Sequence, residues 1–155
     1  MSYAERVLQP GEAIVYRARL HWIMMAPGIA LTVISTLLSI LAAVKAPPDL
    51  RTAGLGLSLI LFLVGGSQLL TAWLKRLSTE IIVTSRRIIV KTGLIGRRSI
   101  EMNVDKVESV LVNQDVLGRI LDYGTLIIRG VGAGLEPVAN VAAPLEFHRH
   151  VNAGG

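Results

Sequence analysis

The chain has 155 residues, no cysteine and a formal net charge of +5. Without cysteine, disulfide bonds, thiolate metal sites and lipid anchors on a thiol are excluded. An aromatic content of 5% argues against a stacking surface for single-stranded nucleic acid. Cations that flank two long uncharged runs, residues 20–44 and 52–74, account for much of the positive charge, so we expect no nucleic-acid partner.

Residues 1–20 form a predicted cytoplasmic N-terminal segment. The first apolar run begins about twenty residues in and is too long for the core of a cleaved signal, which predicts an anchor that stays in place. Between Ala13 and Leu20, apolar side chains alternate with a second set that includes two arginines, as in a half-buried strand. We hypothesise that this segment joins the sheet of the C-terminal domain.

Two long runs without Asp, Glu, Lys or Arg follow. The first has 25 residues between Arg19 and Lys45, and the second has 23 between Arg51 and Lys75. A helix of roughly 20 apolar residues crosses a hydrocarbon core of about 30 Å. The sequence therefore predicts a transmembrane helical hairpin over residues 21–74, with spans at about 21–44 and 53–74 and a tight polar turn over residues 45–51.

The distribution of positive charge predicts the orientation of this hairpin. The turn has two cations, whereas both flanks have more: Arg6, Arg17 and Arg19 before the first span, and Lys75, Arg76, Arg86, Arg87 and Lys91 after the second. We therefore predict that both termini are cytoplasmic. Trp22 and Trp73 lie at the ends remote from the turn, where we expect them to act as interfacial anchors.

Small residues recur at four-residue spacing within the spans. The pairs are Ala26 and Ala30, Ser35 and Ser39, and Gly54 and Ser58. This spacing predicts helix packing, either of the two spans on each other or of a span on another protomer or membrane protein. Neither span contains Asp, Glu, Lys or Arg, which argues against a pump or channel.

Residues 75–155 predict a small cytoplasmic domain built mainly of strands. From Thr79 onward, β-branched residues dominate and apolar positions alternate. The predicted strands are residues 79–84, 87–92, 97–104, 107–114, 123–129 and 137–141, with a helical turn or loop at 116–121. A helix from Pro144 to about Val151 follows, with Leu145, His148 and Val151 on one face. The predicted fold class is α+β: a transmembrane hairpin, then a small antiparallel sheet or partial barrel with a short C-terminal helix.

Two stretches of this domain resemble the bacterial pleckstrin-homology (PH) domain family of small membrane proteins. They are Thr79–Gly93, and Lys106–Gln114 followed by Leu117–Leu126. The resemblance runs from about Lys75 to Val141, and the preceding pair of spans fits it. It implies a PH-like fold and a location in the bacterial inner membrane, and it does not imply phosphoinositide binding.

The hairpin between the second and third predicted strands of this domain is the leading candidate site. Apolar residues at its tip and cations on its shoulders suit insertion into an anionic leaflet, and the alternative is a solvated turn. The residues are Lys91, Leu94, Ile95, Arg97 and Arg98. Arg86 and Arg87, at the preceding turn, are a second candidate contact for a phosphate or lipid headgroup, with a soluble turn as the alternative.

The remaining motifs predict no chemistry. Gly130–Gly134 follows a strand but precedes no helix, as a dinucleotide site requires, so we predict a hairpin turn. His148 and His150 point different ways on a helix, which argues against a shared metal. The spacing of the residues suggests no set of nucleophile, base and acid. We therefore expect no enzyme activity, no cofactor and no metal.

These patterns predict a membrane-anchored PH-like scaffold or adaptor, which binds a protein partner or further copies of itself at the cytoplasmic face. Two alternatives stay open. One is an envelope sensor that binds anionic lipid or headgroups, and the other is an accessory subunit of a larger membrane complex. The expected partners are membrane lipids and either a membrane protein or a homo-oligomer, with no small-molecule substrate.

Overall fold

The computed structural model describes residues 8–93, 96, 98–134 and 137–153. The chain divides into two compact units. The helical unit comprises residues 22–74. The β-domain comprises the residues up to His21 and those from Lys75 onward.

The helical unit is a hairpin of two long helices. After a 3-10 turn at Trp22–Met25, α1 runs over Ala26–Lys45 and α2 over Pro48–Ser78. Both segments are long and apolar enough to span a membrane. Many of their large aliphatic side chains are exposed, as expected for helices whose solvent is lipid.

The polar turn predicted over residues 45–51 is wrong in extent, because only two residues separate the helices. Pro48 begins α2, where a missing N–H is tolerated and the fixed φ of proline suits a helix. The Pro47 carbonyl accepts hydrogen bonds from the N–H groups of Leu50 and Arg51, at 3.0 Å each. The two prolines therefore start a helix where we expected a loop.

Two glycines set the closest approach of α1 and α2. A Cβ on Gly28 would lie 2.9 Å from the backbone nitrogen of Leu69, and a Cβ on Gly65 would lie 2.9 Å from that of Thr32. A Cβ on Gly66, the next residue, would meet nothing within 4 Å. The backbones at Gly28 and Gly65 thus leave no room for a side chain, which is how small residues fix helix contacts in membranes.

The described residues of the β-domain form two antiparallel four-stranded sheets. The first has the order β1–β2–β3–β4, with strands Ile14–Ala18, Glu80–Thr84, Arg87–Thr92 and Arg98–Asn103. The hypothesised strand before the first span is therefore present, as β1, and it pairs with β2. The predicted α+β fold class is confirmed.

The second sheet is built around β6 (Tyr123–Gly130). On one edge it pairs with β5 (Val107–Asn113), and on the other with β7 (Ala133–Gly134) and then β8 (Val138–Ala142). The described part of the domain also has a 3-10 helix at Val104–Lys106, α3 at Val116–Leu121 and α4 at Pro144–Ala153.

The two sheets are joined just beyond the end of β1. Leu20 forms a bridge with Val141. The N–H of Ala142 donates to the Arg19 carbonyl at 2.9 Å, and the N–H of His21 donates to the Asn140 carbonyl at 2.6 Å. The domain is therefore a partial barrel, joined along β1 and β8.

Helix α4 packs against the sheets through one face that includes Phe147 and Val151. Phe147 is fully buried and meets the ring of Tyr16 edge-on, with ring centroids 6.3 Å apart. Val151, four residues later on the same helix, is also buried. Leu145, which we predicted to share a face with Val151, is 53% exposed, so the two do not share the buried face. The buried face is Pro144, Phe147 and Val151, because the aromatic ring offers more apolar area to bury than the leucine does.

Candidate membrane-facing end of the β-domain

The chain leaves the β-domain for the helical unit, and returns from it, at one end of the first sheet. Ala18 near the end of β1 lies opposite Ile81 near the start of β2. The Arg76 Nε donates to the Leu20 carbonyl at 3.0 Å. We call this the junction end of the β-domain, defined by residues 20–21 and 75–79. These residues directly precede and follow the helical unit in the sequence.

The β3–β4 hairpin lies at the junction end. In the strand register, Lys91 is opposite Glu80, and Arg98 is opposite Thr92. Glu80 follows the last residue of α2 by two positions. Lys91 and Arg98 of the leading candidate site are therefore close to the junction, whereas Leu94, Ile95 and Arg97 lie outside the described residues.

Arg86 and Arg87 lie at the opposite end, Arg86 in the bend between β2 and β3 and Arg87 as the first residue of β3. The Arg87 guanidinium holds two carboxylates: Glu12, through Nε at 3.0 Å and a terminal nitrogen at 2.9 Å, and Glu101 at 2.7 Å. The side chain of Arg87 is only 13% exposed. We therefore assign Arg87 to the stability of the fold. Arg86 is exposed, and its contact with a phosphate or headgroup stays a prediction.

Glu12, the partner of Arg87, is a buried carboxylate that sequence reasoning missed. Burial alone would raise its pKa. Hydrogen bonds from Arg87, the Gln9 N–H and the Thr84 hydroxyl outweigh burial and lower the pKa to about 2. A single glutamate in a predicted N-terminal segment carries no pattern that separates it from a solvated charge, so no sequence signal identified this residue.

A cavity of about 200 Å³ lies at the junction end, between the first sheet and β8. Its lining is mostly aliphatic, and it includes the hydroxyl side chains of Thr79 and Thr92 and the cation Lys75. The aliphatic lining residues are Leu20, Val90, Ile100, Pro137, Val138 and Ala139. Such a cavity could accommodate a small amphipathic group with negative charge.

Helix α3, which we predicted as a helical turn or loop, also ends close to the junction end of the β-domain. The ring of Tyr123, two residues beyond α3, stacks on that of His21 with centroids 5.4 Å apart. His21 directly precedes Trp22, where the apolar helical segment begins. The apolar residues of α3 can be read from the sequence. Their position at the junction end depends on the contact between Tyr123 and His21, which are far apart in the chain.

The predicted contact residues in the helical unit differ in burial. Ser35 and Ser58 are buried, and a Cβ on Gly54 would lie 3.0 Å from the Cβ of Ala42. Ala26 and Ser39 are partly buried, and Ala30 is exposed. Trp22 and Trp73 are both about half exposed. The glycines that fix the helix contact, Gly28 and Gly65, were not among the predicted residues.

The two histidines of α4 have separate surroundings. The ring of His150 stacks on Tyr16 at 4.6 Å and its Nδ1 bonds the Glu146 carbonyl at 2.8 Å, whereas His148 lies near Asn152. Within the described residues, there is no group of three or more His, Cys, Asp or Glu side chains that could hold a metal ion.

These features define a class of protein: a two-sheet β-domain with a C-terminal helix, interrupted after its first strand by two helices able to span a membrane. The sequence matches the bacterial PH domain family bPH_2 over residues 20–154. The chain therefore belongs to the bacterial PH domain family, as the resemblance implied. A comparison with curated proteins finds no match.

Proposed function

We propose that this protein is a membrane-anchored scaffold or adaptor at the cytoplasmic face of the bacterial inner membrane. In this proposal, α1 and α2 hold the PH-like domain at the membrane. The domain binds a protein partner, or further copies of itself, through the free edges of its sheets.

The pairing of β1 with β2 supports an anchor that crosses the membrane twice. β1 precedes both helices and β2 follows them, yet the two strands share a sheet. A chain that crossed only once would place these strands on opposite sides of the bilayer. Two crossings, with both flanks on the side that carries more Lys and Arg, satisfy the strand pairing and the charge rule together.

The observation that carries the scaffold proposal is the pair of edge strands. In the described part of the chain, β4 is the last strand of the first sheet and β5 is an edge of the second. Both are among the more exposed strands, and Leu111 of β5 is a large aliphatic side chain that is 40% exposed. An edge strand offers backbone groups to which another strand can add.

Two measurements on the full chain in mild detergent or nanodiscs test this proposal. Native mass spectrometry gives the number of copies in each particle and detects any stoichiometric foreign subunit. Because the chain has no cysteine, single-cysteine variants also report contacts directly. Ser99→Cys places the probe on β4, and Ser109→Cys places it on β5.

We expect a particle larger than one chain of 16.7 kDa, and cysteine crosslinking from at least one of the two edge strands. The matched control is Ser85→Cys, which changes the same residue type at an exposed bend between β2 and β3 and should crosslink much less. A particle with one chain and no partner, or equal crosslinking at all three positions, would contradict the scaffold proposal.

A second candidate function, binding of an anionic lipid or headgroup, is favoured by the cavity beside Lys75. Lys91 and Arg98 lie at the same end of the domain and would add charge attraction of about 1 kcal/mol each at an anionic surface. The test is retention of phosphatidylglycerol relative to phosphatidylcholine by the full chain in native mass spectrometry.

For this second function, we expect Lys75→Gln with Lys91→Gln to lower the retention of phosphatidylglycerol. The matched control is Lys106→Gln with Arg129→Gln, which removes two exposed cations at the opposite end of the domain. Equal loss in both variants would show that retention depends on total charge, and the lipid-binding function would then be rejected.

A further inference from the structure

Helix α3 exposes all four of its apolar side chains. Val116 and Ile120 are 74% and 72% exposed, and Leu117 and Leu121 are also among the exposed residues. Gly118 is the one buried residue that the helix contributes. We call Val116, Leu117, Ile120 and Leu121 the α3 patch. The usual arrangement, in which a short helix buries its apolar side chains, is reversed here.

The α3 patch is held in position by polar caps. The Asp115 carboxylate accepts the Gly118 N–H at 2.6 Å, and Gln114 Nε2 donates to the carbonyls of Gly118 and Tyr123 at 3.2 and 3.0 Å. Asp122 adopts the left-handed conformation that closes the helix, with φ of 56°. The helix therefore forms without burial of its apolar side chains, which stay available for a contact outside the β-domain.

The glycine at position 118 lets the helix lie directly on the sheet. A Cβ there would be 2.6 Å from the Tyr123 carbonyl oxygen and 2.7 Å from the Asp115 carboxylate. The side of α3 that faces the domain is therefore bare backbone. The aliphatic side chains of the patch are left on its outer side.

The location of the patch indicates what covers it. Tyr123 links the end of α3 to His21, the last residue of the β-domain before the first apolar helical segment. The one charged residue within α3 is Arg119, a cation that suits lipid phosphates. An apolar surface with a cation, joined to the start of a membrane span, is complementary to the interface of the bilayer.

We propose that α3 inserts the side chains of the α3 patch into the cytoplasmic leaflet of the membrane that α1 and α2 cross. This inference rests on the membrane anchor of the proposed function, and it adds a third contact with lipid beside the two spans. The patch would fix the orientation of the β-domain on the bilayer and so determine which strand edges face the cytoplasm.

Depth-dependent fluorescence quenching tests this inference on the full chain in liposomes. Because the native chain has no cysteine, Ile120→Cys carries a single environment-sensitive label. The matched control is Val131→Cys, an exposed aliphatic position (68%) in the turn after β6, at the other end of that strand. A label at Leu63→Cys within α2 reports whether the helices are inserted.

We expect lipid-borne nitroxide to quench the label at position 120 several-fold more than the label at 131, and aqueous iodide to do the reverse. If positions 120 and 131 respond alike while 63 is quenched by lipid, the α3 inference is overturned and the anchor stands. If 63 is not quenched by lipid, the anchor itself fails. Shielding of position 120 that persists in detergent and rises with protein concentration would assign the patch to a second copy and would also overturn the inference.

Discussion

Glu12 is bound by donors from three parts of the chain. The Gln9 N–H lies 2.9 Å away, the Thr84 hydroxyl 2.6 Å away, and Arg87 reaches both carboxylate oxygens. Arg87 in turn gains a raised pKa, chiefly from its hydrogen bonds with Glu12. This network ties the segment before β1 to the turn between β2 and β3, so one buried charge fixes the end of the first sheet opposite the junction.

Replacing Glu12 by glutamine keeps the shape of the side chain and removes its charge. We expect Glu12→Gln to destabilise the full chain by about 2 kcal/mol, because hydrogen bonds to charged groups contribute on that order and Arg87 retains Glu101. Thermal unfolding in detergent measures this loss. The control is Glu108→Gln on the exposed surface of β5, which should be nearly neutral, and equal effects of the two would refute the assigned role.

The lowered pKa of Glu12 also predicts how stability depends on pH. The pKa is about 2 in the fold against an ordinary value of 4.5, so the carboxylate stabilises the fold fully above pH 4.5. That contribution is lost as the pH falls from 4.5 toward 2, because the unfolded chain then binds the proton more readily. The difference in melting temperature between native chain and Glu12→Gln should shrink over this range, and a constant difference would contradict the assignment.

Among the elements, α4 depends on a single aromatic residue. Phe147 has no exposed surface and packs against Tyr16 of β1, so the helix connects the C-terminus to the first strand. Tyr16 also stacks on His150 of the same helix. The contacts of Phe147 and His150 with Tyr16 therefore stabilise the packing of α4, although the helix is short.

Truncation of this aromatic residue should be costly. We expect Phe147→Ala to lower stability by about 3–5 kcal/mol through lost burial and the cavity that remains. Leu145→Ala, two residues earlier and half exposed, should change stability by less than about 0.5 kcal/mol. Hydrogen exchange at the amides of β1 measures both effects, and similar exchange in the two variants would disprove the assigned packing.

The contact between α1 and α2 depends on neighbouring glycines that differ in their surroundings. There is no space for a methyl group at Gly65, because a Cβ there would collide with Thr32. There is space for one at Gly66. We expect Gly65→Ala to destabilise the hairpin by about 1–3 kcal/mol through overpacking. Gly66→Ala should be neutral or slightly stabilising. Melting temperatures in detergent compare them, and equal values would show that the backbones do not approach at Gly65.

At the scale of the molecule, the proposed orientation puts the connection between the helices on the far side of the membrane from the β-domain. Asp49 lies in the first turn of α2 and Ser85 lies in the β-domain. We expect Asp49→Cys to react with a membrane-impermeant maleimide in intact spheroplasts, and Ser85→Cys to react only in inverted vesicles. Reaction of both positions from the same side would refute two crossings.

The strands and helices could be predicted from local patterns, and their arrangement could not. The alternation between Ala13 and Leu20 indicated a strand, but its pairing with β2 depends on residues beyond both helices. The prolines at 47 and 48 predict a loop because proline disfavours helix interiors, although it suits a helix start. The candidate hairpin followed from charge and hydropathy, whereas its position at the junction end follows from strand register. The burial of Glu12 and the position of the α3 patch depend on contacts between residues far apart in the chain. Such contacts leave no pattern in the local sequence.

The placement of β1 before the helices and β2 after them has a consequence for biosynthesis. The ribosome releases Ile14–Ala18 before either helix, and the partner strand Glu80–Thr84 only after both. If α1 and α2 cross the membrane as proposed, β1 stays without its partner strand until both helices have been inserted. On that topology the first sheet assembles only after insertion, so a mutation that blocks insertion of either helix would also prevent folding of the β-domain.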